Sequence, residues 1–251
     1  MKSDASHARI HFMDEVRGFA VLCMIFYHAF YSLAFVFGLD WGLKLLLFFM
    51  PAEPFFAGLF IFISGISSDL SHSNLKRGAK LLAVALLVTL VTVVFLPQER
   101  ILFGILHFLS CAMLLFGCIQ KPIRRVPLAV GLAVCVVLYL ATFQVGEGVA
   151  CFAIKLPDAL YQTDWLAPLG FHSASFYSAD YFPILPWIFV FLAGTFVGRL
   201  AAEERFPKWM YTRRIPFLSW LGRHALIVYI VHQPVIFALA YGVQGIIGLL
   251  A

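Results

Sequence analysis

The chain has 251 residues, of which 62% are hydrophobic and only 12% charged, with a formal net charge of +5. Soluble domains carry about 25% charged residues, and mean hydropathy here is +0.92, so a soluble enzyme and a nucleic-acid-binding domain are excluded. What remains is an all-α, polytopic helical bundle whose solvent is the lipid bilayer, read as a single integral domain over residues 1–251 with no hydrophilic appendage.

Seven stretches are long enough to span a bilayer, at about 18–38, 47–68, 79–96, 101–119, 127–144, 183–199 and 225–249. The first is no signal peptide, because it follows a polar start, exceeds an ordinary signal core and has no small-residue cleavage site behind it. An inner N-terminus leaves 15 of the 18 basic residues in inner segments, among them Lys2, Arg9, Lys121, Arg124, Arg125, Arg199, Arg205, Lys208, Arg213, Arg214 and Arg223. Only Lys44, Arg100 and Lys155 fall outside, a strong positive-inside bias that makes the +5 a signal of topology.

The first span, FMDEVRGFAVLCMIFYHAFYSLAFVFG, carries Arg17 and His28 with ten residues between them. Eleven helical steps return both side chains to one face and rise about 16 Å. Arg17 then sits at the inner water interface and His28 near mid-membrane, where an ionisable residue is costly and is a functional-site candidate. A guanidinium at that interface reads as a topology anchor, paired with Asp14 at i−3, or as a fork that binds phosphates. A buried neutral imidazole reads as a packing residue or as a general base.

Residues 41–52 read as partly interfacial before Pro51 and Pro54 bend the chain into the second span. Glu53 stands about 22 Å up that span from its inner end, within about two turns of the His28 level; it is the carboxylate available to offset the desolvation of the imidazole. The inner loop DLSHSNLKRGAK brings Lys76, Arg77 and Lys80, which would enlarge the basic mouth around Arg17. Arg100 and His107 form a corresponding outer pair at the start of the fourth span. The outer connection 145–182 mixes Glu147, Asp158, Asp164 and Asp180 with Tyr161, Trp165, Tyr177 and Tyr181, as a lid over an outward opening or as an ordinary surface loop. Asp180 and His232, in YIVHQP, add polar groups to the apolar interior. Five scattered cysteines with no CxxC or Cys/His spacing argue against a disulfide framework and against a zinc site, and no metal is expected.

RIHFMDEVRGFAVLCMIFYH resembles the opening helix of the transmembrane acyltransferase superfamily, whose members share an arginine, ten residues and a histidine. EPFFAGLFIFISGIS, RILFGILHFLS, DYFPILPWIFVFLAGTFVGR and WLGRHALIVYIVHQPV are similar, in order, to the bacterial branch related to heparan-alpha-glucosaminide N-acetyltransferase. The resemblance implies transfer of an acyl group, usually acetyl, from cytoplasmic acetyl-CoA or another acyl-CoA to an acceptor on the far side. Arg17 then corresponds to the arginine of the donor mouth with Lys76, Arg77 and Lys80 beside it, His28 to the catalytic histidine, and Glu53 to an acidic position ahead of a proline and an aromatic-rich span. Arg100, His107 and Asp180 are the candidates for contact with an extracytoplasmic hydroxyl or amine, on a sugar or glycolipid, with the bacterial inner membrane as the location. A proton-coupled transporter and a non-catalytic membrane subunit would use the same polar interior, and a homo-oligomer is left open.

Overall fold

The computed structural model describes residues 9–250, with side chains through residue 242; Lys2 lies outside the described residues. The helices are α1 (His11–Tyr31), α2 (Asp40–Phe49), α3 (Glu53–Asp69), α4 (Asn74–Phe95), α5 (Ile105–Ile123), α6 (Leu128–Thr142), α7 (Ile184–Ala202), α8 (Pro216–Arg223) and α9 (Ala225–Leu250). Among the described residues, seven helical stretches are long and apolar enough to cross a membrane, as the hydropathy pattern requires. The chain divides into two compact units. One is built from the chain up to Ile63 and again from Phe206 onward, the other from Ser64–Arg205.

Several boundaries differ from the hydropathy reading, the second stretch beginning at Asp40 and the third at Asn74, and for two others the cause is plain. The first span starts at His11 rather than near residue 18, because the charges that end a hydropathy window are satisfied within the fold. Asp14 accepts from Arg9 Nε at 2.7 Å and from Arg17 at 3.4 Å. Glu15, buried to 5% exposure, accepts from the backbone N–H groups of Arg214 (2.7 Å) and Ile215 (2.9 Å), just ahead of α8. The fourth span starts at Ile105 rather than near 101, because residues 100–104 run extended beside the outer connection. Ala179 N–H donates to the Arg100 carbonyl and Phe182 N–H to that of Phe103, both at 3.0 Å. Residues 41–52 form α2 and a 3₁₀ turn (Met50–Ala52) at Pro51, giving one bent stretch that runs on into α3.

In the first unit, α1 and α8 pack backbone to backbone. A Cβ on Gly18 would run into the Leu218 carbonyl, and one on Gly222 into the Asp14 carbonyl. Close approach through small residues is how helices associate in lipid, where apolar burial offers no net drive. Val21, Leu221 and Ala225 continue this contact as a core, with Leu22, Ile25 and Phe60 against it.

In the second unit, the inner turns are closed by arginines. Arg199 donates to the carbonyls of Ile123 (2.5 Å) and Val126 (2.6 Å), between α5 and α6, and Arg124 pairs at 3.2 Å with the buried Asp69. The outer connection is pinned to its own unit. Within it a two-residue hairpin pairs Val149–Ala150 with Ile154–Lys155, Tyr161 donates to the Val145 carbonyl, and Tyr181 donates to that of Ala167 at 2.7 Å. Burial pushes the Tyr181 phenol well above its ordinary pKa.

Gly222→Val is expected to cost about 3 kcal/mol through overpacking, seen as a lower melting temperature of the purified protein. Gly242→Val serves as control, since a Cβ there meets nothing within 4 Å. Equal melting of the two variants would mean that α1 and α8 are not in backbone contact.

Candidate active site

α1 carries both ends of the site. Arg17, with 18% of its side chain exposed, lies against Asp14 one turn earlier, the pairing expected from i,i+3 spacing. Eleven residues on, the His28 ring is half-buried and has two aromatic neighbours. Tyr27 meets it edge-on at 5.6 Å between centroids, and the ring of His232, from α9, lies at 5.0 Å with a 50° tilt.

His232 has a defined tautomer. Its Nδ1 lies 2.6 Å from the Tyr229 carbonyl, which can only accept, so Nδ1 carries the proton and the lone pair of the neutral ring is at Nε2. One turn beyond His28, Ser32 is fully buried and opens a π-helical turn, Ser32–Val36, a departure from α-geometry that recurs at functional sites. Gln233 donates to Ser32 Oγ at 3.1 Å, while Gln233 Oε1 is buried with no hydrogen-bond partner among the described residues. Consecutive residues of α9, His232 and Gln233, therefore meet consecutive helical turns, at His28 in α1 and at Ser32 just beyond its end. Pro234 follows directly inside α9. It lacks the N–H that would close the helical ladder there, so α9 is locally weakened next to the imidazole pair.

Glu53 opens α3 in the same unit, half-buried in the helix's first turn, where the helix dipole favours a carboxylate. One turn later Phe56 meets the ring of Tyr27 at 6.2 Å, so the start of α3 lies beside the level of His28.

The remaining candidates fall in the second unit. Lys76, Arg77 and Lys80 are exposed at the inner end of α4, where the Lys76 N–H is capped by Ser73 and Arg77 donates to the Ser67 carbonyl at 3.3 Å. Arg17 instead shares its unit with Arg213 and Arg214, to which the sequence assigned only a topological role. His107 has both ring nitrogens engaged. Nδ1 accepts from Gly104 N–H at 3.3 Å, which leaves Nε2–H to donate to Thr89 Oγ1 at 3.1 Å, and the Thr89 hydroxyl donates to the Ile101 carbonyl at 2.7 Å. Asp180 accepts from Ile105 N–H at 3.1 Å, capping α5. Arg100 lies over the Tyr177 ring at 5.6 Å. His107 and Asp180 come together at the start of α5 in bonds that hold the backbone, and Arg100 rests on an aromatic ring of the outer connection. Among the described residues, no three metal-ligating side chains converge.

The arrangement in the first unit can relay a proton between two imidazoles, with a carboxylate and a carboxamide nearby to orient a polar substrate. Spacing along one helix singled out Arg17 and His28. His232 was visible as a polar residue in an apolar stretch, whereas Ser32 and Gln233 carried no signal beyond their polarity. A family model described as heparan-alpha-glucosaminide N-acetyltransferase, catalytic, matches residues 9–234, a range that takes in every one of these side chains. No curated protein and no solved structure matches the chain. With nine-tenths of its length matched, and with seven apolar helices of spanning length, the chain belongs to the heparan-alpha-glucosaminide N-acetyltransferase catalytic family, as a membrane-embedded acetyltransferase.

Proposed function

We propose that this protein takes an acetyl group from acetyl-CoA on the cytoplasmic side and transfers it to a hydroxyl or amine of an extracytoplasmic sugar or glycolipid, in a bacterial cytoplasmic membrane. The observation that carries this reading is the imidazole pair of His28 and His232, in which His28 stands on the same helix as Arg17, about 16 Å above it, and His232 meets it from α9. Coenzyme A has a highly charged nucleotide end and a thin pantetheine arm. Arg17 holds the charged end by forked, charge-assisted bonds, and the arm carries the thioester along α1 to His28. Lys76, Arg77 and Lys80 add to the positive inner surface that attracts a polyanion.

His28 takes the proton of the acceptor O–H or N–H as its heteroatom attacks the thioester carbon. The C–S bond breaks, and the imidazolium returns the proton to the departing thiolate. His232, with its lone pair at Nε2, shares the positive charge while His28 is protonated, and Glu53 orients the acceptor from the start of α3. His107 and Asp180 act here by holding the outer turn of α5, and Arg100 by its contact with Tyr177 in the outer connection.

His28→Ala is expected to lower turnover of labelled acetyl-CoA by about 100-fold or more, the scale of general-base catalysis, in a protein that melts like the parent. Near-normal turnover in that folded variant would overturn the assignment. For Arg17→Ala the expected change is in KM for acetyl-CoA, a rise of about tenfold or more for one lost charged hydrogen bond, with kcat little altered; an unchanged KM would remove the clamp. His232→Ala should lower kcat by about tenfold while leaving that KM alone, as for a group met only in the proton-transfer step. A rise in KM at constant kcat would assign His232 to binding instead.

A further inference from the structure

The inner end of the first unit gathers more cationic and aromatic surface than Arg17 alone supplies. The Glu15 carboxylate grips the backbone N–H groups of Arg214 and Ile215, which holds the chain after Lys208 beside the first turns of α1. A 3₁₀ turn, Lys208–Tyr211, presents Trp209 there. Its ring meets Phe12 edge-on at 4.8 Å, the guanidinium of Arg214 lies over it at 5.2 Å, and 43% of the residue is exposed. Arg213, the residue before Arg214, is exposed and donates to the Pro216 carbonyl at 3.0 Å. Of the two carboxylates at this end among the described residues, Asp14 is paired with Arg9 and Arg17, and Glu15 is engaged by backbone. The side chains of Arg213 and Arg214 are therefore not neutralised by either. Two buried polar atoms of the same segments, His11 Nδ1 and Tyr211 Oη, have no hydrogen-bond partner among the described residues.

An accessible indole with one forked guanidinium over it and a second on the adjoining residue is chemistry suited to a phosphorylated purine nucleoside. The base stacks on the ring, and the phosphate takes paired N–H donors. We propose that Trp209, Arg213 and Arg214 form a nucleotide subsite and, resting on the acetyl-transfer reading above, that it holds the adenosine 3′-phosphate end of acetyl-CoA while Arg17 meets the pyrophosphate. A phospholipid headgroup offers the same phosphate to the same arginines, without a purine.

The test uses the full chain in nanodiscs of phosphatidylcholine, with and without phosphatidylglycerol, and measures binding of acetyl-CoA and of its 3′-dephospho analogue. Wild type is expected to prefer acetyl-CoA by about tenfold, the scale of a lost charge-assisted pair, and adenosine 3′,5′-bisphosphate should compete. R213Q/R214Q should lose that preference and W209A should weaken both ligands, while W209F retains binding. The Glu15 grip is on backbone, so the arginine variants should melt like the parent. If they do not, the bisphosphate competition decides on wild type alone. Absence of competition, unchanged binding by the variants, or a loss seen only with phosphatidylglycerol present would overturn the subsite. Wild type that binds no acetyl-CoA at all would overturn the acetyl-transfer reading itself and the subsite with it.

Discussion

Glu15 occupies a position that a hydropathy profile treats as a boundary and the fold treats as a foundation. A carboxylate at 5% exposure is expensive unless its oxygens find donors. These donors are two backbone N–H groups about 200 residues further along, at the foot of α8, groups that would otherwise be left unsatisfied at a helix start. With that joint made, Gly18 and Gly222 come into contact. His28 lies ten positions after Gly18, and His232 ten positions after Gly222. The equal spacing brings two imidazoles to one level from a joint made far from either.

Much of this was legible in the sequence, for physical reasons. Apolar runs of spanning length and the basic bias of the inner segments depend on local composition, so seven helices and their alternation could be read directly. The Asp14–Arg17 pair follows from helical periodicity. The facing of His28 by His232 could not be read, because it depends on which distant helix reaches α1 and at what height. Charge counting is limited in a similar way. It grouped Lys76, Arg77 and Lys80 with Arg17 because all are inner and basic, but a count cannot tell which inner segments share a compact unit, and it gave no sign that the Arg213–Arg214 segment packs with α1. His107 shows the limit from the other side. Its spacing from Arg100 mirrors the Arg17–His28 theme, yet both its nitrogens are committed to Gly104 and Thr89.

The second unit shows why polar residues in lipid are poor evidence of chemistry until their partners are known. Asp180 caps α5, Arg199 takes up the carbonyls between α5 and α6, and Asp69 pairs with Arg124. Each satisfies a helix end or a buried charge that would otherwise cost several kcal/mol where water is absent. The residues left for chemistry are those that meet other side chains instead of the backbone, and in the first unit His28 and His232 face one another while Gln233 meets Ser32 beside them.

The Glu15 joint also imposes an order of assembly. Ser64–Arg205 is continuous in the chain, so its partners are present as soon as they are synthesised, whereas α1 must wait for residue 214. At about 5–20 residues per second, the ribosome needs roughly 10–40 s to cover that distance. Through that interval the first helix stands in the bilayer with its acidic foot and its glycine face unmet. The unit that bears the paired histidines thus closes after the continuous one has been made, and a nascent chain holds no assembled pair until His232 has followed His28 by some two hundred residues.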